Sequence, residues 1–122
     1  MNDEREAKVV PGAIAVEKAY DFALWLLPKV EKFPRSFRFT VGDRLSAGGL
    51  DILLTLVEAA YARDKGSTLV RASQRVNAVR YLLRLSRDLR LMSLDSHAFA
   101  AGRLDEIGRM VGGWARSVGG RS

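Results

Sequence analysis

The sequence predicts an all-α fold, an up-down-up-down antiparallel four-helix bundle, and three observations lead to this prediction. Apolar residues recur at helical spacing along the chain, and no segment alternates apolar and polar residues as a strand does. Four such segments are joined by short connections, which make neighbouring helices antiparallel. The 122 residues have the size of one domain, residues 1–122, without a linker or an internal repeat.

The first two predicted helices cover residues 12–32 and 35–63. Apolar residues step through both by threes and fours, the spacing that places them on one helix face. Gly48 and Gly49 weaken the second helix by about 1 kcal/mol each relative to alanine, or they let a backbone or a ligand come close; both interpretations stay open. The residues predicted to face inward are Val16, Tyr20, Ala23, Leu27 and Val30, then Leu50, Leu53, Leu54, Val57 and Tyr61.

The third and fourth predicted helices cover residues 68–91 and 95–118. Gly66 is expected to stop the second helix, and Ser67 or Thr68 is expected to cap the third. The residues predicted to face inward are Val76, Val79, Leu83 and Ser86, then Ala100, Leu104, Ile107, Val111, Trp114 and Val118.

Further apolar side chains, including Trp25 and Leu85, lie beside the inward faces of the first and third helices. They either thicken the core of a small bundle or form a subunit interface. The second interpretation is preferred, because an isolated bundle of this size should not leave Trp25 or Leu85 in water.

The composition restricts the chemistry that the protein can perform. The chain has no cysteine, which excludes disulfides, thiolate metal sites and a cysteine nucleophile. The single histidine, His97, cannot supply the paired Glu-x-x-His motifs of a di-iron bundle. Asp105 and Glu106 are adjacent and project about 100° apart on a helix, so they do not form a carboxylate pair. We therefore expect no catalytic residue, no metal and no cofactor, and a hydrolytic or metal enzyme is the least favoured function.

Two features favour a cytoplasmic protein without a membrane partner. No apolar run approaches the ~20 residues that a membrane span needs. The acidic start, Met1 to Glu6, lacks the basic and apolar regions of a signal peptide.

The positive charge is concentrated in one quarter of the chain. The net charge is +6, and residues 63–90 hold eight basic and two acidic residues, so this segment carries the whole surplus. Seven of the eight are arginines, whose planar fork binds phosphate and stacks on bases. Arg80, Arg84 and Arg87 fall within roughly 60° of one another on a helix. This pattern favours nucleic acid as partner; the alternative is a solvated face whose arginines pair with acids on neighbouring helices.

Three stretches together resemble one family of small four-helix-bundle proteins. They are residues 33–36 (FPRS) with 38–45 (RFTVGDRL), residues 79–85 (VRYLLRL) and residues 105–114 (DEIGRMVGGW). The family comprises proteins encoded in intervening sequences of bacterial 23S ribosomal RNA genes and the accessory variability determinant (Avd) proteins of diversity-generating retroelements. The match covers roughly residues 15–118, and its YLLR and GGW features are more similar to the retroelement branch.

The resemblance implies a homopentameric barrel of bundles whose basic surface binds RNA or DNA and the reverse transcriptase of the element. The protein would then assist mutagenic cDNA synthesis without being the polymerase. The alternative is a ribosomal intervening-sequence-type bundle that acts as a structural or protein-interaction module. Gly112, Gly113 and Trp114 match a packing motif, whereas Gly48-Gly49 departs from an alanine-rich pattern. Charge and resemblance together predict these nucleic-acid-binding residues: Arg71, Arg75, Arg80, Arg84, Arg87, Arg90, Arg35 and Arg38.

Overall fold

Four long helices make up most of the computed structural model, which describes residues 11–119. They are α1 (Pro11–Glu31), α2 (Asp43–Tyr61), α3 (Lys65–Asp88) and α4 (Leu94–Gly119). Both α1 and α3 pack against α2 and α4, so the helices enclose one core. The predicted all-α four-helix bundle is confirmed. The acidic start, Met1 to Glu6, and residues 120–122 lie outside the described residues.

The predicted second helix, 35–63, is helical from Arg35 to Tyr61 but is not α-helical throughout. A single helical turn at Arg35–Phe37 leads into a wide π-helical turn at Arg38–Gly42, and only then does α2 begin. Gly42 is buried where this turn lies on the end of α1, and a Cβ there would be 3.1 Å from Val30 Cγ1. At its other end α2 stops at Tyr61.

Two charged side chains stabilise the connection between α2 and α3 through hydrogen bonds. The Lys65 ammonium donates hydrogen bonds to the carbonyls of Ala59, Ala60 and Ala62 at 3.0, 3.1 and 3.0 Å, which satisfies groups that the end of α2 leaves without helical partners. The Asp64 carboxylate accepts a 3.1 Å bond from the Ser67 backbone N–H. This bond and one from the Ser67 hydroxyl lower the pKa of Asp64.

The bounds of α3 differ from the predicted 68–91 at both ends. Because Asp64 is the N-cap, the helix starts at Lys65, and the predictions that Gly66 stops a helix and that Ser67 or Thr68 caps the next are wrong. The helix ends at Asp88, since Arg90 has a φ of 62° and the Leu91 N–H bonds to the Ser86 carbonyl at 2.8 Å. This is the Schellman ending, with arginine in the left-handed position that glycine usually occupies.

The inward faces of α3 and α4 are those that the periodicity predicts. In α3 they include Ser86, whose hydroxyl bonds to the Leu82 carbonyl at 2.8 Å and so buries no unpaired group. Val118 at the end of α4 is partly buried. The fully buried predicted residues are Val76, Val79, Leu83, Ser86, Ala100, Leu104, Ile107, Val111 and Trp114.

The inward faces of α1 and α2 are rotated from the predicted ones. Tyr20, Leu54 and Tyr61, all predicted to face inward, are 52%, 61% and 87% exposed. The buried faces instead carry many small residues. They comprise Ala15, Ala19, Phe22, Ala23, Leu26 and Val30 in α1, and Leu45, Gly49, Ile52, Thr55, Leu56 and Ala59 in α2. Of the predicted inward residues of α1, Ala23 and Val30 are buried.

Gly48 and Gly49 mark close helix contacts. A Cβ on Gly48 would lie 2.7 Å from Val79 Cγ2 of α3, and one on Gly49 would lie 2.8 Å from Leu26 Cδ2 of α1. Of the two interpretations that the sequence leaves open, the structure supports close approach, because both distances are shorter than van der Waals contact.

Two tryptophans pack within the bundle. The Trp25 ring is 5.0 Å from the Phe99 ring of α4 and only partly exposed, so it joins α1 to α4, whereas Leu85, the other residue of the predicted interface, is 44% exposed. Trp114 is buried, and a Cβ on Gly12 would be 2.5 Å from its ring. Trp114 is therefore a packing residue, as the resemblance implies.

Within residues 11–119, no helix is both long enough and apolar enough to cross a bilayer.

Candidate nucleic-acid interface

The five predicted arginines of α3 lie along both sides of the exposed face of this helix; we call them the arginine surface. Arg80, Arg84 and Arg87 lie on the side toward α4, where they line a cleft of about 210 Å³ with His97 and Ala101. The remaining two lie on the side toward α2. The members of the arginine surface are Arg71, Arg75, Arg80, Arg84 and Arg87.

Arg80 reaches across to α4. Its guanidinium forms an ion pair with the carboxylate of Asp105, and it lies where a side chain on Gly108 would be, since a Cβ there would be 3.0 Å from Arg80 Nη2. Gly108 thus leaves room for the arginine to lie along the neighbouring helix.

Two further members of the arginine surface make ion pairs. Arg71 pairs with Glu58 of α2 at 2.6 Å, and Arg87 pairs with Asp88 at 2.9 Å. The alternative prediction, pairing with acids on neighbouring helices, therefore holds for Arg71 and Arg80 but not for Arg87. Ion pairs between partly exposed side chains contribute about 0–1 kcal/mol, so a phosphate can compete for these arginines.

The side chains of Arg75 and Arg84 make no ion pair or hydrogen bond with the residues that the structure describes. Arg75 lines a groove of about 680 Å³ between α2 and α3, where Arg44 and Asp51 also lie. Arg44 is not among the residues predicted from the sequence, because its periodic neighbours on α2 are not basic and only packing against α3 brings it beside Arg75.

Tyr81 stands between the two sides of the arginine surface. Its side chain is 69% exposed, and it lines both the α2–α3 groove and a shallow cleft of about 470 Å³ on the other side, with Asn77, Arg80 and Arg84. Tyr81 is also absent from the residues predicted from the sequence. The available signal was an aromatic residue directly after Arg80 and three positions before Arg84, which places all three on neighbouring parts of the helix surface.

The other three predicted arginines lie at the end of the bundle that holds the α1–α2 and α3–α4 connections. Arg38 donates to the Glu31 carbonyl at 3.4 Å and lies 5.0 Å over the Phe39 ring. Arg35 is exposed, and Arg90 lines an open depression of about 660 Å³ beside Arg87. No side-chain hydrogen bond or ion pair of the described residues joins these three to the arginine surface, although the Arg90 backbone N–H bonds to the Arg87 carbonyl at 2.9 Å.

The described residues contain no group of three or more histidine, aspartate or glutamate side chains placed to hold a metal ion. His97 lies in the cleft with Arg80, Arg84 and Arg87. The chemistry on this side of the molecule is therefore that of cations beside an exposed aromatic ring.

Comparisons with known proteins agree with this fold. The model of the bAvd-like family matches residues 13–118. A crystal structure of a protein of unknown function from the S23 ribosomal protein family of Bacteroides thetaiotaomicron VPI-5482 superposes with a TM-score of 0.81 at 16% identity, covering 87% of this chain and 98% of that one. At this identity the likeness concerns the fold alone. The comparison with curated proteins found no match.

Proposed function

The chain belongs to the bAvd-like family, and on this premise we propose that it is a non-enzymatic accessory protein of a diversity-generating retroelement. It binds RNA or DNA and the reverse transcriptase of the element, and it thereby supports mutagenic cDNA synthesis in the cytoplasm. The resemblance of the YLLR and GGW features to the retroelement branch supports this role.

The arginine surface is the observation that carries the nucleic-acid part of the proposal. Arg75 and Arg84 make no ion pair with the described residues, and the other three hold exposed acids that a phosphate can replace. Guanidinium groups on one helix contact phosphates without reading base edges. The expected binding is sensitive to salt and tolerant of sequence.

We further propose assembly into a homopentamer. Leu24 of α1 and Leu54 of α2 are exposed although both are large and apolar, and such side chains on a small protein commonly mark a contact with another chain. A pentamer repeats the arginine surface five times and gains avidity on a long RNA or RNA–DNA hybrid. Sedimentation velocity measures the oligomer directly: a monomer at micromolar concentration contradicts this part of the proposal.

A binding titration tests the nucleic-acid role. Fluorescence anisotropy with a labelled RNA of about 20 nucleotides in about 0.1 M salt gives the Kd of the wild type, of R75E/R84E and of R63E. Arg63 is an equally charged, exposed control about 30 Å along the bundle from Arg84. We expect R75E/R84E to weaken binding at least about tenfold and R63E to weaken it far less. Equal affinities for the wild type and R75E/R84E contradict the assigned surface.

The reverse-transcriptase role needs its own experiment. Co-purification of the tagged protein with a reverse transcriptase from the same element, after nuclease treatment, separates direct contact from tethering by RNA. Retention of the enzyme is expected, and its complete loss after nuclease removes this part of the proposal.

The alternative is a ribosomal intervening-sequence-type bundle that acts as a structural or protein-interaction module. It is favoured by the structural similarity to the S23-family protein, which concerns the fold alone. Under this alternative the protein still forms an oligomer, but the anisotropy titration shows no RNA or DNA binding at physiological salt.

A further inference from the structure

We propose that Tyr81 stacks on an unpaired base, so that the arginine surface prefers single-stranded nucleic acid to a duplex. This inference rests on the proposed function, since it names the class of nucleic acid that the same surface takes. The positive charge of the arginine surface does not by itself distinguish single-stranded nucleic acid from a duplex.

The position of the Tyr81 ring supports this proposal. Tyr81 is 69% exposed on the outer side of α3, and the grooves on either side of it both hold arginines. Arg80 and Arg84 line the cleft on the α4 side, while Arg75 and Arg44 line the groove on the α2 side. A strand that crosses Tyr81 therefore meets guanidinium groups before and after the ring.

An exposed ring between arginines can bind an unpaired base together with the phosphates on either side of it. An aromatic ring stacks on any nucleobase, because every base has a π face, and each such contact tightens binding by roughly five- to a hundredfold. Phosphates on both sides of the stacked base pair with the flanking arginines. In a duplex the bases are already stacked inside the helix, so the ring has no base face to contact and only the phosphate contacts remain.

Asn77 adds a polar group beside the ring. It lines the same cleft as Arg80, Tyr81 and Arg84, and its amide offers both donors and an acceptor to the edge of an unpaired base. One adaptable amide does not select a particular base strongly, so the preference is for single strands and not for a sequence.

Tyr20, another exposed tyrosine, lacks this setting. Tyr20 of α1 is half exposed, but its neighbours on the helix surface are Glu17 and Leu24, and Asp21 follows it in the chain. An acidic residue repels phosphate, so Tyr20 is a ring in water without the cations that a strand requires. This makes Tyr20 a matched control for Tyr81.

The test compares three probes of equal length on the full chain by anisotropy. They are an oligothymidylate of about 20 nucleotides, an abasic strand with the same phosphates, and a duplex of the same length. Y81L is expected to weaken oligothymidylate binding about tenfold, whereas Y81F, which keeps the ring, stays within about twofold of the wild type. Y81L should leave binding of the abasic strand and of the duplex unchanged, and Y20L should leave all three unchanged.

The outcomes separate this inference from the proposed function. If Y81L binds oligothymidylate as tightly as the wild type, or if the abasic strand binds as tightly as oligothymidylate, stacking is excluded while the salt-sensitive binding by arginines stands. A weakening of duplex binding equal to that of single-strand binding also overturns the preference. A changed sedimentation coefficient of Y81L with unchanged affinity assigns the ring to a contact between copies of the chain. If none of the probes binds even at low salt, both the inference and the proposed function fail.

Discussion

Arg80 of α3 forms an ion pair with Asp105 of α4, across the space that Gly108 leaves free. The pair has two consequences. It holds the guanidinium at the edge of the cleft beside Tyr81 and Arg84, and it places an acid where a phosphate would bind. The affinity of the arginine surface is therefore set partly by an acid on the neighbouring helix.

Removing this acid should strengthen binding. We expect D105N to bind a labelled single-stranded RNA about two- to fivefold more tightly at about 0.1 M salt, because Arg80 is released and a local negative charge is lost. Stability should fall by less than about 1 kcal/mol, since both side chains of the pair are partly exposed. D21N is the matched control, with the same loss of charge on α1 away from the arginine surface. Weaker binding by D105N would show that the acid positions Arg80 more than it competes for it.

Gly48 should resist replacement by alanine, although alanine favours helices. The added methyl group would lie 2.7 Å from Val79 Cγ2 in the core, and overpacking costs about 1–3 kcal/mol against a propensity gain of about 1 kcal/mol. We expect G48A to lower the free energy of unfolding by about 1 kcal/mol in urea titrations.

The control for Gly48 is a glycine in open surroundings. A Cβ on Gly102 meets no atom within 4 Å, so G102A should raise the free energy of unfolding by about 0.5–1 kcal/mol. If G48A is as stable as the wild type while G102A is stabilised, α2 and α3 are not in tight contact at Gly48.

Arg90 occupies the left-handed position at the end of α3, with a φ of 62°. We expect R90G to raise the free energy of unfolding by about 0.5–1 kcal/mol, because glycine adopts this conformation without a Cβ clash. R90A keeps the Cβ and removes the same charge, so it should show no such gain. Both variants should weaken RNA binding equally if Arg90 contacts phosphate, which separates the contribution of its charge from that of its backbone.

The cap of α3 should make stability depend on pH. Hydrogen bonds from the Ser67 backbone N–H and hydroxyl lower the pKa of Asp64 in the folded state. The stabilisation is therefore complete above the unfolded pKa, about 3.9 for aspartate, and is lost as the pH falls through the lower folded value.

Thermal unfolding between neutral and acid pH tests this cap. D64A should have a lower Tm than the wild type at neutral pH, and the difference should narrow below about pH 4. D64N keeps a capping oxygen without a titrating group, so its gap to D64A should not change through this range. A gap between the wild type and D64A that is constant with pH would contradict the assigned cap.

The sequence was sufficient for the fold class and for two of the four inward faces. On α3 and α4 the buried positions include aliphatic side chains with polar residues on both sides in the chain, such as Val76 and Leu104, so the period indicates the inward face. On α2 the buried face includes Gly49, Thr55 and Ala59, which let helices approach closely but contribute little to a hydrophobicity pattern. Because other leucines of α2 are exposed, the inward face predicted from the hydrophobic pattern is rotated from the face that is buried.

The candidate site, like the fold, could be predicted only in part from the sequence. The concentration of arginines on one helix could be read from their spacing, because that property is local to α3. The pairing of Arg80 with Asp105 and the approach of Arg44 to Arg75 depend on which helices are neighbours and at what height, and spacing within one segment does not determine either.

The salt dependence of binding shows whether the arginine surface of α3 binds nucleic-acid phosphates. The measurement is the slope of log K against log salt concentration for a single-stranded RNA, with the wild type and with R75Q/R84Q. Each lost phosphate contact reduces the slope by about 0.7 for single strands, so the double variant should show a slope smaller in magnitude by at least about 1. A wild-type slope near zero, or the same slope in both proteins, would show that the arginine surface does not bind nucleic-acid phosphates.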